Sequence, residues 1–352
     1  MKWELKTKRV YIDATQPDEA SLIEAASLLQ QGGLVAFPTE TVYGLGANAL
    51  DGAACAKIFQ VKGRPQDNPL IVHVADQKAA AGLSAVWPET AERCAQKFWP
   101  GPLTLVLPKG PALPDEVTAG LNTVGIRIPS HPVALALLRK AGVPVAAPSA
   151  NLSGKPSPTS GSHVWQDLQG KIPLLLDAGT CAVGLESTVL DLSGSVPTIL
   201  RPGAISREQL EDVLGEVRID RPLQGRVPKA PGMKYRHYAP KGDMILLQGS
   251  REKILQRMED EISKAHRRLK KVGILCTLES APFLHEQRPD LLFVLGSEER
   301  PEEVASNLFE GLRLCDSQEM DIILAEAIEE GGVGMAVMNR LEKAAGHRLI
   351  RV

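Results

Sequence analysis

The chain of 352 residues lacks most features that would place it in a specialised class. Its five cysteines, Cys55, Cys94, Cys181, Cys276 and Cys315, are odd in number, far apart and without a Cys-x-x-Cys pair, which predicts reduced core thiols rather than a disulfide framework. Aromatic residues make up only 4%, too few for the interleaved stacking platforms of a single-strand nucleic-acid binder. Neither sign of charge prevails: Lys+Arg 40 against Asp+Glu 42 leaves a formal net charge of -2. No global field draws in polyanions, so a nucleic acid would have to be met by a local patch. No run approaches the ~18 uninterrupted apolar residues of a membrane span. Residues 1–13 alternate charged and apolar types without the apolar core of a signal peptide, and a cytoplasmic protein is expected.

Familiar catalytic devices are missing too. The residues before Gly154-Lys155 lack the partner glycine of a P-loop, and Pro156 follows the lysine. No Gly-x-Gly-x-x-Gly fingerprint opens a helix, Gly332-Val333-Gly334 being too short, and there is no Gly-x-Ser-x-Gly elbow or His/Cys cluster with zinc spacing. Hydride transfer, P-loop hydrolysis, metalloproteolysis and serine hydrolysis are all disfavoured.

What is present is an ordinary globular composition, 43% hydrophobic and 23% charged, at a length that predicts two domains. Apolar residues at helical spacing over residues 17–29 stop at Gly32-Gly33 and give way to an apolar strand over 34–37. Asp51 can cap a helix to about Val61, and residues 91–98 and 133–139 also read as helices. Strands are expected over 70–74, 103–107, 124–128, 143–147, 174–177, 188–192 and 198–200, with Ser193-Gly194-Ser195 as a hairpin turn between the last two. Interleaved helices and strands with a hairpin imply an α/β fold on a mixed sheet under helical cover. Between Gly215 and Gly242, prolines and glycines break the periodicity, yet Met233, Tyr235, His237 and Tyr238 stand there beside Lys229, Lys234, Arg236 and Lys241. That composition suits a linker that touches an anion better than a plain tether. Beyond it, a strand-helix alternation begins again. The expected organisation is a catalytic domain over 1–215, a basic and aromatic linker over 216–242, and a small doubly wound α/β domain over 243–352.

Four segments carry chemistry. Residues 37–48, Phe-Pro-Thr-Glu-Thr-Val-Tyr-Gly-Leu-Gly-Ala-Asn, follow a strand with two hydroxyls, a carboxylate and two glycines that allow close backbone approach to a small polar ligand. An ordinary Gly-rich turn between strand and helix reads equally well. Lys62-Gly63-Arg64-Pro65 sets two cations around a glycine in a loop stiffened by Pro65 and Pro69, a way to hold both toward one anion, or simply a solvated basic turn. Residues 147–157, with Ser149, Asn151, Ser153 and Ser157, offer hydroxyl and amide groups to a phosphate or a purine edge, although these are also common turn residues. Arg127 lies inside an apolar strand and Arg201 ends another, and a guanidinium in such a place needs an anionic partner, from the protein or from a ligand. His73, alternating with apolar residues, reads as a core histidine or a ligand contact.

Together these residues resemble a known family. Residues 37–46, Lys62-Gly63-Arg64 with Asn68-Pro69-Leu70, Trp99-Pro100-Gly101-Pro102-Leu103-Thr104, residues 124–129, Pro148-Ser149-Ala150-Asn151, Glu186-Ser187-Thr188 and Arg201-Pro202-Gly203 are similar to the YrdC-type domain of threonylcarbamoyl-AMP synthases. Residues 231–240 and 334–340 are similar to the linker and tail of the family's two-domain long form. The resemblance implies a YrdC-like mixed twisted sheet followed by a smaller Rossmann-like domain. It implies the reaction of L-threonine, bicarbonate and ATP to threonylcarbamoyl-adenylate, pyrophosphate and water. The product would pass to a threonylcarbamoyl-transferase complex that modifies transfer RNA, with contact to the RNA itself allowed but not required. Carried over by position, Thr41, His73, Arg127, the Ala147 backbone and Ser187 would surround threonine. Lys62, Arg64, Asn68, Thr123, Ser149, Asn151, Ser157, Arg201 and Tyr235 would surround ATP, with Lys62 and Arg64 as the catalytic pair. The linker would fold back over the pocket. No protein metal site is implied; Mg2+ would ride on the triphosphate, since only Glu40 and Asp67 are carboxylates near the motifs. Two alternatives are an RNA-binding module and a carbamoyltransferase acting on a protein thiol; the latter would bring zinc-finger and acylphosphatase-like segments that the sequence lacks.

Overall fold

A computed structural model describes residues 5–220 and 238–352. They form two compact units: the first comprises Met1–Ser153, Ser157–Ala182 and Glu186–Tyr235, the second Gly154–Pro156, Val183–Leu185 and Arg236–Val352.

The first unit is built on one mixed sheet. Its strands are β1 (Lys8–Tyr11), β2 (Val35–Phe37), β3 (Gly44–Asn48), β4 (Ile71–His73), β5 (Leu103–Pro108), β6 (Thr123–Arg127), β7 (Val145–Ala146), β8 (Leu174–Asp177), β9 (Thr188–Asp191), β10 (Thr198–Arg201) and β11 (Arg218–Ile219). They lie in the order β1-β8-β2-β3-β7-β4-β6-β5-β9-β10-β11. β4 and β6 run parallel with His73 opposite Arg127, while β5 runs antiparallel to β6 and parallel to β9. β9 and β10 are the expected antiparallel hairpin, with a register shift that places Ile199 opposite Leu190 but Arg201 opposite Val189.

Side chains alternate along a strand, so each strand serves two faces. One face of the sheet carries Val72, Leu103, Leu105, Leu107, Val124 and Ile126 into the large core, packed with Ile58 and Phe59 of the helix Gly52–Lys62. That helix starts where expected, with Asp51 accepting from the Ala54 N–H. On the opposite face the helices Glu19–Gln30 and Pro132–Ala141 bury Leu22, Leu29, Val133 and Leu137 against Val35, Phe37, Val145 and Leu174. Alternation puts the residues between the core positions of β4, β6 and β5 on this second face: Ile71 and His73, Gly125 and Arg127, Thr104 and Val106. Only Ile71, Val106 and Val189 form a small apolar cluster there, with Leu200 against it.

One motif folds differently from its sequence reading. Residues 44–48 are not a turn before a helix but the strand β3, paired with both β2 and β7. The two glycines serve packing within the sheet: a Cβ on Gly46 would sit 2.7 Å from Val145 Cγ1 and 2.8 Å from Phe37 Cε1. A glycine strand has no β-branched signature, which is why the pattern reads as a turn.

The second unit holds β12 (Asp243–Gln248), β13 (Val272–Thr277), β14 (Leu291–Gly296), β15 (Ile322–Glu326) and β16 (Leu349–Arg351), in the order β14-β13-β15-β12-β16. The pairings are parallel, as a doubly wound fold requires. Ile254, Met258 and Ile262 of the helix Arg251–His266 pack on Ile245, Leu247, Ile274 and Leu324. The helix Gly334–Ala344 and strand β16 complete the winding and had no sequence assignment. All five cysteines are free and buried. Burial pushes the thiols of Cys55, Cys94, Cys276 and Cys315 up to about 12, so they stay protonated.

Candidate active site

The cations singled out from the sequence are buried in the first unit: Lys62 is 3% exposed, Arg127 3% and Arg201 5%. Lys62 closes its helix, and its Nζ donates to the carbonyls of Ser149 and Asn151, with Asn151 Oδ1 at 3.4 Å. The Ser153 N–H donates back to the Lys62 carbonyl at 2.9 Å, so this lysine pins the loop after β7. Ser149 Oγ donates to Asn151 Oδ1, and Ser149 bridges Gly44 of β3. Arg64, past the left-handed Gly63, donates to the carbonyls of Asn68 at 3.3 Å and Pro69 at 3.1 Å. Asn68 is buried, and its Oδ1 has no hydrogen-bond partner among the described residues.

Arg127 ends β6. Its Nη1 donates to Thr41 Oγ1 at 2.9 Å, its Nε to the Gly101 carbonyl at 3.2 Å, and its Nη2 lies 2.7 Å from Glu40 Oε1. Thr41 Oγ1 is in turn 2.8 Å from Thr39 Oγ1, which donates to the Val42 carbonyl. The anionic partner that the sequence demanded for Arg127 is therefore Glu40, 87 positions away. Burial, the largest single influence, would raise the Glu40 pKa, but the charge and contact of Arg127 together with the backbone amides of Glu40 and Ser130 outweigh it and hold the carboxyl below its usual range. Beside Arg127 in the register, His73 is buried with Nδ1 unpartnered among the described residues. Burial, then the Arg127 charge, drives its pKa down to about 3, and it is neutral at pH 7.

A second chain of contacts runs across β5, β9 and β10. Thr104 Oγ1 and Ser187 Oγ lie 2.8 Å apart, and Arg201 Nη2 reaches Ser187 O at 2.9 Å and Ser187 Oγ at 3.2 Å. Ser157 Oγ donates to Glu186 Oε1 in the adjoining segment. Thr123 opens β6 on the face of Arg127, and the Ala147 N–H donates to the Ile71 carbonyl. Tyr235 lies outside the described residues. Thr39, Thr104, Glu186 and the Arg127 partnership of Glu40 were missed from the sequence, where only their motif membership hinted at a role. Among the described residues, no group of three or more His, Cys, Asp or Glu side chains comes together as a metal site.

Comparison with known proteins places the whole chain in a family. Residues 27–203 match the Sua5, YciO and YrdC family model described as telomere recombination, and residues 205–346 match the C-terminal domain of threonylcarbamoyl-AMP synthase. A threonylcarbamoyl-AMP synthase of Pyrococcus abyssi is 50% identical over 331 residues, 93% of this chain and 95% of that protein. The chain belongs to the threonylcarbamoyl-AMP synthase family. A family member from Bacillus subtilis is 48% identical over 353 residues, covering 99% of this chain and all of its own. The crystal structure of P. abyssi Sua5 complexed with L-threonine superposes with a TM-score of 0.93 at 48% identity, over 98% of this chain and 100% of the other. That family likeness spans both units, including the mixed sheet that carries the buried cations and the smaller doubly wound sheet. No helix among the described residues is long and apolar enough to cross a membrane.

Proposed function

We propose that the chain joins L-threonine, bicarbonate and ATP into threonylcarbamoyl-adenylate, releasing pyrophosphate and water. The observation that supports this reading is the burial of Lys62, Arg64, Arg127 and Arg201 in the first unit, on strands of its sheet and the helix and loops at their ends. Arg127 with Thr41 hydrogen-bonded to it and His73 opposite it in the register, joined by Ser187 and the Ala147 backbone, would form a region suited to a small amino acid. Lys62 with Ser149 and Asn151, Arg64 with Asn68, and Arg201, Thr123 and Ser157 would form a region suited to a nucleoside triphosphate.

In this reading the threonine amine adds to the carbon of bicarbonate, water leaves, and an oxygen of the resulting carbamate attacks the α-phosphorus as the bond to pyrophosphate breaks. A carbamate reverts in bulk water, so the burial of the site matters as much as its charges. Neither His73, neutral with its pKa at about 3, nor Glu40, whose pKa is lowered, is poised as a strong base. Catalysis then rests on positioning and on cations that meet the charge growing on the phosphates. Magnesium enters with the triphosphate as part of the substrate. The product would be handed to an enzyme that transfers the threonylcarbamoyl group to transfer RNA, in the cytoplasm.

Pyrophosphate release measured with threonine, bicarbonate and ATP omitted one at a time tests the reading. Release should require all three; release from ATP and bicarbonate alone would overturn it.

A further inference from the structure

Glu40 is 8% exposed, and neither of its carboxylate oxygens meets a donor in well-aligned hydrogen-bonding geometry among the described residues. Its contact with Arg127 is an ion pair: Nη2 lies 2.7 Å from Oε1, but it too has no hydrogen-bond partner in good geometry. Arg127 and the backbone amides of Glu40 and Ser130 lie near enough to lower the Glu40 pKa, in geometry short of a well-aligned hydrogen bond. A buried carboxylate with unused acceptor sites is costly, because it has given up water and gained few donors in return. The other titratable neighbours do not relieve it. His73 is neutral, burial lowers the pKa of His131, and burial raises that of the Cys181 thiol, so at pH 7 the charge that Glu40 meets is that of Arg127.

An isolated pair of opposite charges, open on the acceptor side, matches a ligand that carries opposite charges on adjacent groups. An α-amino acid is such a ligand. The arginine side can take its carboxylate while the free lone pairs of Glu40 take its ammonium. We propose that Glu40 is a specificity-determining residue of the first unit, accepting the α-ammonium group of the amino-acid substrate while Arg127 holds the carboxylate. This rests on the amino-acid region assigned above and adds to it the group that separates an amino acid from the matching hydroxy acid. Glu40 binds the ammonium of the incoming substrate without deprotonating it, since its own pKa lies far below that of an amine, and the ammonium gives its proton to bicarbonate or solvent before the freed amine attacks.

Calorimetric binding to the full chain, with L-threonine and with 2,3-dihydroxybutanoate of matching stereochemistry as probes, tests the assignment. The second probe keeps the carboxylate and side-chain hydroxyl but replaces the amine with a hydroxyl. Wild type should prefer threonine by about 10-fold or more, the size of one charge-assisted hydrogen bond. Glu40→Gln should weaken threonine by a similar factor while leaving the hydroxy acid unchanged or tighter, because Arg127 loses its competitor. Equal weakening of both probes, or no change in either, would overturn the proposal. If Glu40→Gln does not fold, Glu40→Asp carries the test: it should narrow the preference, and an unchanged preference overturns the proposal. Wild type that releases pyrophosphate only with threonine, beside a Glu40→Gln protein with unchanged preference, sinks this inference alone. Wild type that binds neither probe sinks the amino-acid site itself.

Discussion

Thr104 and Ser187, 83 residues apart, face each other hydroxyl to hydroxyl at 2.8 Å in a place closed to solvent. Arg201 reaches the same Ser187, so one buried threonine sets the position of a group assigned to the amino acid and, through it, of a cation assigned to the nucleotide. Thr104→Val keeps the shape and removes the hydroxyl. It should raise KM for threonine and ATP together by about 3- to 10-fold, the worth of one buried hydrogen bond. Thr104→Ser should restore most of the loss. A Val variant with wild-type constants would make the contact incidental.

Arg64 and Arg127 should separate by substrate. Arg64→Ala removes a charge from the triphosphate region and should lower kcat/KM by at least about 10-fold. Arg127→Lys keeps the charge but loses the fork that holds Thr41, Glu40 and Gly101 at once, and should raise KM for threonine more than for ATP. Steady-state kinetics with each substrate varied in turn decides between these patterns.

His73 makes the fold sensitive to acid. Its pKa falls from 6.5 to about 3 on folding, first through burial and then through Arg127. Between those values the unfolded chain binds a proton that the folded chain refuses, so stability rises with pH through this window. The contribution is fully present above the unfolded pKa and is lost as pH falls toward about 3. Melting temperatures measured between pH 7 and 4 should fall less steeply for His73→Gln than for wild type; parallel curves would mean that His73 is protonated in the fold.

Gly46→Ala should cost stability rather than chemistry. Its methyl would meet Val145 and Phe37 at less than contact distance in the middle of the sheet. Overpacking of this kind costs about 1–3 kcal/mol, visible as a lower denaturation midpoint. The folded fraction should keep its KM for ATP.

The parts legible in the sequence are those with a local signal. The Asp51 cap, the apolar runs of β4, β5 and β6, and the hairpin at Ser193-Gly194-Ser195 depend on neighbours within a few residues. β3 escaped because Gly44-Leu45-Gly46 draws its strand character from Phe37 and Val145, not from its own propensity. β1 escaped because Lys8 and Arg9 give a charged strand at the sheet edge no apolar run to betray it. In the site, residue types were readable and partnerships were not. That Arg127 needed an anion followed from its place in an apolar strand; that Glu40 supplies it is a product of the fold.

The register shift in β10 has a consequence for how two neighbouring side chains are used. A regular pleat sends consecutive residues to opposite sides, so Leu200 and Arg201 could not both serve the same one. With two residues set against Val189, Leu200 joins the apolar patch of Val189, Ile71 and Val106, while Arg201 meets Ser187 at its rim. Floor and charge thus come from adjacent positions of a single strand. Any change that straightens this kink forfeits one of them, even if every amino acid that touches the substrates is left intact.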